Sequence, residues 1–452
     1  MNRREIAVIG GGASGMMAAI AAAEAGSLVT IFERNDRLGR KILVTGNGKC
    51  NLGNLKCSEK DYYGGSREFI KNCLEQFGVS DTVSFFKRLG LLVKDRDGYL
   101  YPVSGQAASV LDVLRGAVEH LGIRVVTQAK VSGISRKSQG LEVRWDRQRR
   151  CFDAVVVACG SQAAPKTGSD GSGYQLAAQL GLKLTEVVPA LVQLRCREEY
   201  CKAISGVRAD AGVRILDGSE ELACEKGELQ LTDYGISGIP VFQLSRTVNM
   251  RLRERPEVKA VIDFFPDLSD REYEACCRER LKLADGRSIE EFFTGMLHKK
   301  LMTLFIKLAG LKTNEAAGKA DRERIRQVFG LCRCFTLHVN GSNSYDSAQV
   351  CAGGVCLSEL TLCLEARKAP GVFFAGEVLD VDARCGGYNL QWAWTSGYLA
   401  GRAAAGKGAA GKSDAASAGK RPAGKSVGRA MEKGAAGRPT GRGGATKGRR
   451  KI

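Results

Sequence analysis

The chain has 452 residues, of which 44% are hydrophobic and 26% charged, a composition that supports a large core divided among two or three domains. Its apolar runs are far shorter than the ~20 residues of a membrane-spanning helix, and its N-terminus, MNRREIAVIGGG, lacks the pattern of a signal peptide. These features argue against a membrane protein and predict a cytoplasmic enzyme.

The first 33 residues predict a βαβ unit, with a short strand (EIAVI), a glycine turn (GGGASG), an alanine-rich helix and a second strand (LVTIFE). Gly10, Gly12 and Gly15 fit the GxGxxG pattern, whose glycines permit a tight turn, the approach of a pyrophosphate and close helix packing. Glu33 ends the second strand, where a carboxylate can bind ribose hydroxyls. An acidic residue there favours FAD or NAD over NADP, and the motif alone leaves FAD and NAD open.

Two later segments favour FAD over NAD. The glycine-rich loop LGRKILVTGNGKCNLGN contains Arg40 and Lys41 and is longer than a nicotinamide-binding fold usually needs. The late stretch GEVLDVDARCGGYNLQ places Asp380 after a buried strand and Gly386 and Gly387 at a helix start. Such an arrangement can hold a ribityl chain by the carboxylate and a flavin carbonyl at the helix N-terminus.

The middle of the chain has a different pattern. Short β-like runs with turns extend from Pro189 to about Phe265, and residues 269–330 are charged and mostly helical in pattern. The αβ pattern resumes near residue 345 and includes the buried strand GVFFAG. We therefore predict that the C-terminal part of the chain completes the first domain after two inserted modules.

The net charge of +19 is concentrated near the C-terminus. Residues 403–452 contain thirteen Lys and Arg against two Asp and Glu, so they contribute +11, and the other 402 residues contribute +8. Residues 405–452 are mainly Gly, Ala, Lys and Arg, with almost no apolar side chains to offset the entropy of ordering. We predict a disordered basic tail there and no DNA-binding face on the rest of the chain.

The sixteen cysteines and three histidines form no metal-binding pattern. Close pairs such as Cys276 with Cys277 and Cys332 with Cys334 lack the two CxxC motifs of a zinc site. We expect reduced thiols and no metal.

Several stretches occur in an order that resembles one known family: GGGASGMMAAIAAAEAG, GRKILVTGNGKCN, YPVSGQAASV, the run from VVVACGS through GSDGSGY to PAL, DYGISG, AQVCAGGV and GEVLDVDARCGGYNLQWAWTSG. From residue 4 to about 404 the chain is similar to the BaiN/YhiN-type family of NAD(P)/FAD-dependent flavoproteins. This family is also described as aminoacetone-oxidase-like and lies within the glutathione-reductase-like FAD superfamily. So many motifs in one order make the resemblance specific.

The resemblance implies an α/β fold in which a discontinuous Rossmann-type FAD-binding domain is interrupted by a β-barrel-like domain and a small helical domain. We assign residues 1–187 and 345–404 to the FAD-binding domain. Residues 188–268 and 331–344 are assigned to the barrel-like insert, and residues 269–330 to the helical insert. These boundaries agree with the changes of pattern along the sequence.

Carried over position by position, the resemblance implies FAD contacts at nineteen residues, with backbone contact dominant at the glycines. They are Gly10, Gly12, Ala13, Ser14, Gly15, Glu33, Arg34, Arg40, Lys41, Gly46, Cys50, Asn51, Gly160, Gly376, Glu377, Asp380, Gly387, Tyr388 and Asn389. The chain departs from the family pattern at Asp233, Ile239, Leu362, Cys363 and Leu364. These departures leave the substrate undetermined and do not involve the FAD positions.

Three side chains are candidates for catalysis. Cys50 lies in a loop expected near the flavin, where Lys49 would lower its pKa and a thiolate would shuttle electrons. A structural or FAD-lining role is favoured, because Cys50 and Cys57 lack the CxxxxC spacing of disulfide-reducing flavoenzymes. His338 is either a general acid or base or, as we favour, a core histidine. Tyr388 would place a hydroxyl near the flavin, although loop packing explains it equally well.

We predict an FAD-dependent oxidoreductase that accepts a hydride equivalent from NADH, NADPH or an organic substrate and delivers it to a small or hydrophobic molecule. The resemblance points to NAD(P)H-linked reduction of enones such as bile-acid intermediates. No second GxGxxG unit occurs in the middle of the chain, so nicotinamide would dock without its own Rossmann domain. One alternative is an oxidase of a small amine such as aminoacetone that releases hydrogen peroxide. Another is a flavoprotein tethered to nucleic acid by its basic tail. The sequence predicts no oligomeric state.

Overall fold

The computed structural model describes residues 3–407. Within these residues the strands are, in chain order, β1 (Glu5–Ile9), β2 (Leu28–Phe32), β3 (Gly53–Asn54), β4 (Tyr62–Tyr63), β5 (Val93–Arg96), β6 (Tyr99–Pro102), β7 (Arg124–Val126), β8 (Val131–Lys137), β9 (Gly140–Trp145), β10 (Gln148–Phe152), β11 (Ala154–Val157), β12 (Val188–Ala190), β13 (Leu194–Cys196), β14 (Arg208–Asp217), β15 (Glu220–Thr232), β16 (Gly235–Gly238), β17 (Val258–Asp263), β18 (Phe335–Ser342), β19 (Val350–Ala352), β20 (Val372–Phe374) and β21 (Asp382–Ala383). The α-helices are α1 (Ala13–Glu24), α2 (Arg67–Gln76), α3 (Val79–Arg88), α4 (Ala107–His120), α5 (Ser172–Gln179), α6 (Cys201–Ile204), α7 (Ile239–Arg251), α8 (Asp270–Leu281), α9 (Ile289–Phe293), α10 (Lys299–Leu308), α11 (Arg322–Arg333) and α12 (Tyr388–Ala404).

Strands from both ends of the chain form one parallel sheet, in the order β20, β11, β1, β2, β7. Ile6 of β1 pairs with Ala154 on one side and with Val29 on the other, and Val155 of β11 pairs with Val372. Strands β1, β11 and β20 are buried and largely apolar, as central parallel strands covered on both faces must be. The predicted Rossmann-type α/β fold is therefore confirmed.

Helices α1 and α12 approach each other closely because glycines face the contact. A Cβ added at Gly397 would lie 2.4 Å from the carbonyl oxygen of Ser14, and one at Gly401 would lie 2.2 Å from that of Ala18. Only glycine leaves room for this separation of the two backbones. The contact joins the first helix of the chain to the last helix before the C-terminal segment.

Strands β13 to β18 close a six-stranded barrel in the order β13, β16, β15, β14, β17, β18. Helices α8 to α11 lie in sequence between β17 and β18, and their buried apolar residues share one core with the barrel interior. Phe305 of α10, for example, packs on Phe335 of β18 with ring centroids 5.0 Å apart. The expected barrel is confirmed, and the helices of the insert pack on it.

The described residues belong to one compact unit, so the division into flavin-binding, barrel and helical domains stays a prediction. The predicted basic tail, apart from its first three residues, lies outside the part of the chain that the structure describes. No helix within residues 3–407 has the length and apolar character needed to cross a membrane.

Candidate active site

A cleft with about 1140 Å³ of empty space opens at the carboxyl ends of the parallel strands. Gly10 follows β1, Glu33 follows β2, Ala158 follows β11 and Glu377 lies shortly after β20, and all four line the cleft. Ligands of open α/β sheets bind at this edge, and pockets for small ligands usually measure about 300–1,000 Å³. The cleft therefore has room for a dinucleotide.

Eleven of the nineteen residues predicted to contact FAD line this cleft. They are Gly10, Gly12, Ala13, Ser14, Glu33, Arg34, Arg40, Lys41, Gly160, Glu377 and Asn389. The other eight lie outside its lining and are Gly15, Gly46, Cys50, Asn51, Gly376, Asp380, Gly387 and Tyr388. Lining residues that the sequence did not single out include Asn35, Thr45, Ser169, Gln349 and Trp392.

The glycine turn leaves the N-terminus of α1 open to the cleft. No side chain caps this helix, and no atom lies within 4 Å of the position that a Cβ on Gly12 would take. Gly15 instead faces the turn, because a Cβ there would lie 1.8 Å from the carbonyl oxygen of Gly10. Free amides at the positive end of a helix favour a phosphate. Gly12 is thus placed to admit a ligand, and Gly15 to pack the helix.

The carboxylate of Glu33 is buried in the cleft wall and held by hydrogen bonds. Its Oε2 accepts from the Gly11 amide at 2.8 Å, and its Oε1 accepts from the amide and the side-chain Nδ2 of Asn35, both at 2.8 Å. Arg40 in turn donates to Asn35 Oδ1 at 3.1 Å. These contacts fix the orientation of a carboxylate that can accept hydrogen bonds from ribose hydroxyls.

The loop after β11 forms another part of the wall and contains the motif GSDGSGY. Ser169 and Ser172 line the cleft, and Asp170 between them forms ion pairs with Arg34 and Lys130. Burial opposes ionisation of Asp170, but hydrogen bonds from Ser172 and the two cations hold its pKa below the usual value. Asp170 therefore stays ionised at neutral pH and holds Arg34 in the wall.

An ion pair joins the two ends of the chain beside the cleft. Lys41 Nζ lies 2.7 Å from Glu377 Oε2. Lys41 also donates to the carbonyl oxygen of Ala163 at 3.2 Å, and Glu377 Oε1 accepts from the Ser161 hydroxyl at 2.9 Å. Because both charged side chains are at most a quarter exposed, water screens the pair only in part. The pair fixes the N-terminal loop against the segment after β20.

The start of α12 gives the cleft an apolar wall. Leu390 and Trp392 line it together with Ile42, Val350 and Val381. The indole Nε1 of Trp392 is buried and has no hydrogen-bond partner among the described residues. The first amides of α12 also lack acceptors within the helix. A flat ring system that carries hydrogen-bond acceptors suits this wall.

The loop between β21 and α12 is fixed to the barrel by two ion pairs. Asp382 Oδ1 accepts from Arg246 Nε of α7 at 3.0 Å, and Arg384 lies 3.1 Å from Glu225 of β15. Burial raises the pKa of Asp382 to about 6, although Arg246 partly counteracts that rise. The apolar wall of the cleft is thus anchored to the barrel next to Val381.

Cys50 has the properties of a structural thiol. Its side chain is fully buried, and burial raises its pKa to about 11 in spite of a hydrogen bond with Thr45. The expectation that Lys49 lowers this pKa is therefore wrong, since such a thiol holds little thiolate at neutral pH. Contact of Cys50 with FAD stays a prediction.

His338 and Tyr388 lie in different places. His338 is on barrel strand β18, outside the cleft lining, and its ring Nδ1 lies 2.7 Å from Glu198 Oε1. Tyr388 begins α12, directly before the cleft residue Asn389, and its carbonyl oxygen accepts from the Tyr62 hydroxyl at 2.9 Å. Of the three catalytic candidates, Tyr388 is the one whose chain neighbour lines the cleft.

A helix N-terminus open to phosphate, a carboxylate placed for ribose and an apolar wall with an unpaired donor are parts that an adenine dinucleotide with a large ring requires. Together with the Rossmann-type sheet they define an FAD-dependent oxidoreductase. The chain belongs to the family described as HI0933-like protein Rossmann domain, whose model matches residues 4–403.

Individual relatives carry different names. The chain is 44% identical over 408 residues to the 3-dehydro-bile acid delta(4,6)-reductase of Clostridium scindens, which covers 90% of this chain and 99% of the relative. It is 28% identical over 400 residues to the ribosomal RNA dihydrouridine synthase of Haemophilus influenzae, which covers 86% and 96%. Among solved structures, the 3-ketosteroid delta1-dehydrogenase of Sterolibacterium denitrificans aligns with a TM-score of 0.47 at 11% identity, over 90% of this chain and 100% of that one.

Proposed function

We propose that this chain reduces carbon–carbon double bonds conjugated to a carbonyl group, and that its substrates are bile-acid or related steroid enones. The observation that carries the proposal is the 44% identity to a 3-dehydro-bile acid delta(4,6)-reductase over nearly the full length of both chains. The family match at residues 4–403 contains every residue that lines the cleft. The apolar wall formed by residues such as Val350 and Val381 suits a hydrophobic substrate.

Bound FAD supplies two-electron chemistry, the acceptance and onward transfer of a hydride equivalent. In this proposal Glu33 binds the adenosine ribose, the first amides of α1 bind the pyrophosphate, and the start of α12 holds the ring system. Lys41 and Glu377 position the loop that covers the cofactor. The apolar side chains exclude water from the reacting atoms.

Reduction of an enone also needs a proton at the carbon next to the carbonyl group. We assign this proton to the hydroxyl of Tyr388. Burial raises the pKa of Tyr388 above its ordinary value, so the hydroxyl keeps its proton at neutral pH and can serve as a general acid. The placement of Tyr388 beside Asn389 supports this role.

NADH or NADPH is the electron donor in this proposal. Within residues 3–407 there is one sheet of parallel strands, and we assign its nucleotide-binding turn to FAD. A nicotinamide would therefore bind beside the flavin ring at the open side of the cleft, without a Rossmann domain of its own.

An anaerobic visible spectrum tests the proposal directly. The purified protein should show flavin bands near ~450 nm that bleach on addition of NADH or NADPH and return when a bile-acid enone is added. Bands that persist with both nucleotides but bleach with aminoacetone, with oxygen consumed afterwards, would favour the amine oxidase instead. A colourless protein that cannot be reconstituted with FAD would contradict the cofactor assignment.

A second candidate is the reduction of uracil in structured RNA. It is favoured by the full-length similarity to ribosomal RNA dihydrouridine synthases and by the +11 charge of residues 403–452. The uracil double bond is also conjugated to a carbonyl group, so the same flavin chemistry applies. Incubation of the reduced enzyme with ribosomal RNA and analysis for dihydrouridine separates the two: RNA reduced faster than the steroid would replace our first choice.

A further inference from the structure

Two cysteine pairs have the CxxxxC spacing, Cys196 with Cys201 and Cys351 with Cys356. Cys196 ends β13 and Cys201 begins α6, and the Cys201 amide donates to the carbonyl oxygen of Glu198 at 3.2 Å, which closes the turn between them. The thiols of Cys196 and Cys201 are hydrogen-bonded to each other, and both are free. Cys351 and Cys356 have other neighbours, such as Glu377 and Asp380.

The first pair lies in the barrel, apart from the cleft. Glu198 stands between the two cysteines, and its Oε1 accepts from the His338 amide at 2.8 Å and lies 2.7 Å from the His338 ring. These bonds fix the turn against β18. Cys196 is partly exposed, whereas Cys201 is buried beneath it. A reagent from solvent therefore reaches the pair from the side of Cys196.

The two thiols have opposite tendencies to ionise. The hydrogen bond from Cys196 lowers the pKa of Cys201, and the same bond together with burial raises the pKa of Cys196. Cys201 thus holds the thiolate while Cys196 keeps its proton. A thiolate next to a second thiol is the arrangement that converts a first oxidation into a disulfide.

We propose that Cys196 and Cys201 form a peroxide-sensitive dithiol, a modification site separate from the flavin cleft. The Cys201 thiolate attacks one oxygen of hydrogen peroxide, becomes a sulfenic acid and releases hydroxide, which takes up a proton to become water. The Cys196 sulfur then attacks the Cys201 sulfur, the sulfur–sulfur bond forms, and the hydroxyl leaves as water with the Cys196 proton. The two thiols lose two electrons, and one peroxide is reduced to two waters.

The size of the loop indicates a redox role rather than a structural one. A disulfide stabilises chiefly by restricting the unfolded chain, and the effect shrinks with the length of the closed loop. Only four residues separate Cys196 from Cys201, so the bond adds little to the stability of the fold. This inference concerns the barrel alone and stands independently of the substrate proposed for the cleft.

Thiol mapping on the full-length, flavin-loaded protein tests the inference. The protein is treated with increasing hydrogen peroxide, free thiols are alkylated, and the digest by a lysine-specific protease is analysed by mass spectrometry. The peptide spanning residues 184–202 holds Cys196 and Cys201 and no other cysteine. We expect this peptide to lose two hydrogens and to escape alkylation at the lowest effective dose, and to regain two alkyl groups after dithiothreitol.

The pair with equal spacing is the internal control. A disulfide between Cys351 and Cys356 should require at least about tenfold more peroxide, because burial raises the pKa of both thiols. In the Cys196→Ser variant, Cys201 should advance to a sulfinic acid instead of a disulfide. Full alkylation of both Cys196 and Cys201 at doses that already oxidise other thiols would overturn the inference, and this readout on the unmodified sequence does not depend on how any variant folds.

Discussion

Glu33 is the residue on which the assignment of the adenosine site depends most. Its replacement by Ala removes the carboxylate that we expect to accept hydrogen bonds from the ribose. Each hydrogen bond to a charged group contributes roughly 1.5–3 kcal/mol, so the affinity for FAD should fall roughly 10- to 100-fold. Fluorescence titration of the apoprotein measures this, with Asp36→Ala in the same exposed loop as the control. Equal affinities for both variants would place the ribose elsewhere.

Tyr388 is tested by removal of its hydroxyl alone. Tyr388→Phe should lower the rate of enone reduction on the order of 100-fold, because a general acid is lost. Anaerobic reduction of the flavin by NADH or NADPH needs no such proton and should be unchanged. Stopped-flow measurement of the two half-reactions separates these effects, and Tyr398→Phe, farther along the same helix, serves as the control. A loss confined to the first half-reaction would argue against the proposed role.

Asp382 gives the protein a predictable dependence on pH. The raised pKa of about 6, against 3.8 ordinarily, means that the folded state holds the proton more tightly than the unfolded state. The free energy of unfolding should therefore decline as pH rises from about 4 to 6, by at most roughly 3 kcal/mol, and then level off. Urea denaturation should show a flatter profile for Asp382→Asn, whereas Asp112→Asn, at an exposed site on α4, should keep the original slope.

The residues that the sequence identified and those it missed differ in kind. Gly12 and Glu33 stand at fixed offsets in a local motif, so their places in the cleft follow from the sequence around them. Asn35 and Trp392 depend on how distant segments meet, because Trp392 lies on a helix more than 350 positions away from Asn35. Gly15 and Gly387 belong to the same motifs, but they shape turns and helix starts rather than the cleft surface.

Among the elements, the contact between α1 and α12 offers a direct test of close packing. Gly401→Ala places a methyl group where the carbonyl oxygen of Ala18 already lies, so the helices must separate at a cost of about 1–3 kcal/mol. Gly116→Ala lies within α4, where nothing closer than His120 Nδ1 at 4.0 Å meets the new Cβ. That variant should gain about 0.5–1 kcal/mol from helix propensity. Chemical denaturation of both variants compares them, and equal stability would show that the helices can move apart freely.

Element type could be predicted from the sequence wherever a strand or helix has a strong local pattern. The buried run from Ala154 to Val157 and the alanine-rich α1 are examples, since periodicity and propensity act within a few residues. Barrel closure is different, because β17 pairs with β18 only after a helical segment of more than 70 residues. The barrel was therefore an implication of the family resemblance and not of any local pattern.

At the scale of the whole molecule, the cleft exists because both ends of the chain enter one sheet. Strand β20 lies beside β11 although more than 200 residues separate them, and Lys41 meets Glu377 across the same boundary. The return of the αβ pattern near residue 345 was sufficient to predict this arrangement. The docking of the loop after β21 on α7 was not predictable, because ion pairs such as Asp382 with Arg246 leave no periodic signal.

The C-terminal segment decides between the two proposed substrates. A chain truncated after Lys407 loses twelve basic residues, so any retention on ribosomal RNA at low salt should disappear, while the flavin spectrum and steroid reduction stay unchanged. A full-length variant with the Lys and Arg residues after 407 replaced by Gln is the control for length. Both chains should fail to bind RNA if charge alone is responsible, and binding by the wild type should weaken steeply as salt rises. Retention by either variant equal to that of the wild type would instead locate an RNA-binding surface within residues 3–407, and would strengthen the dihydrouridine synthase alternative.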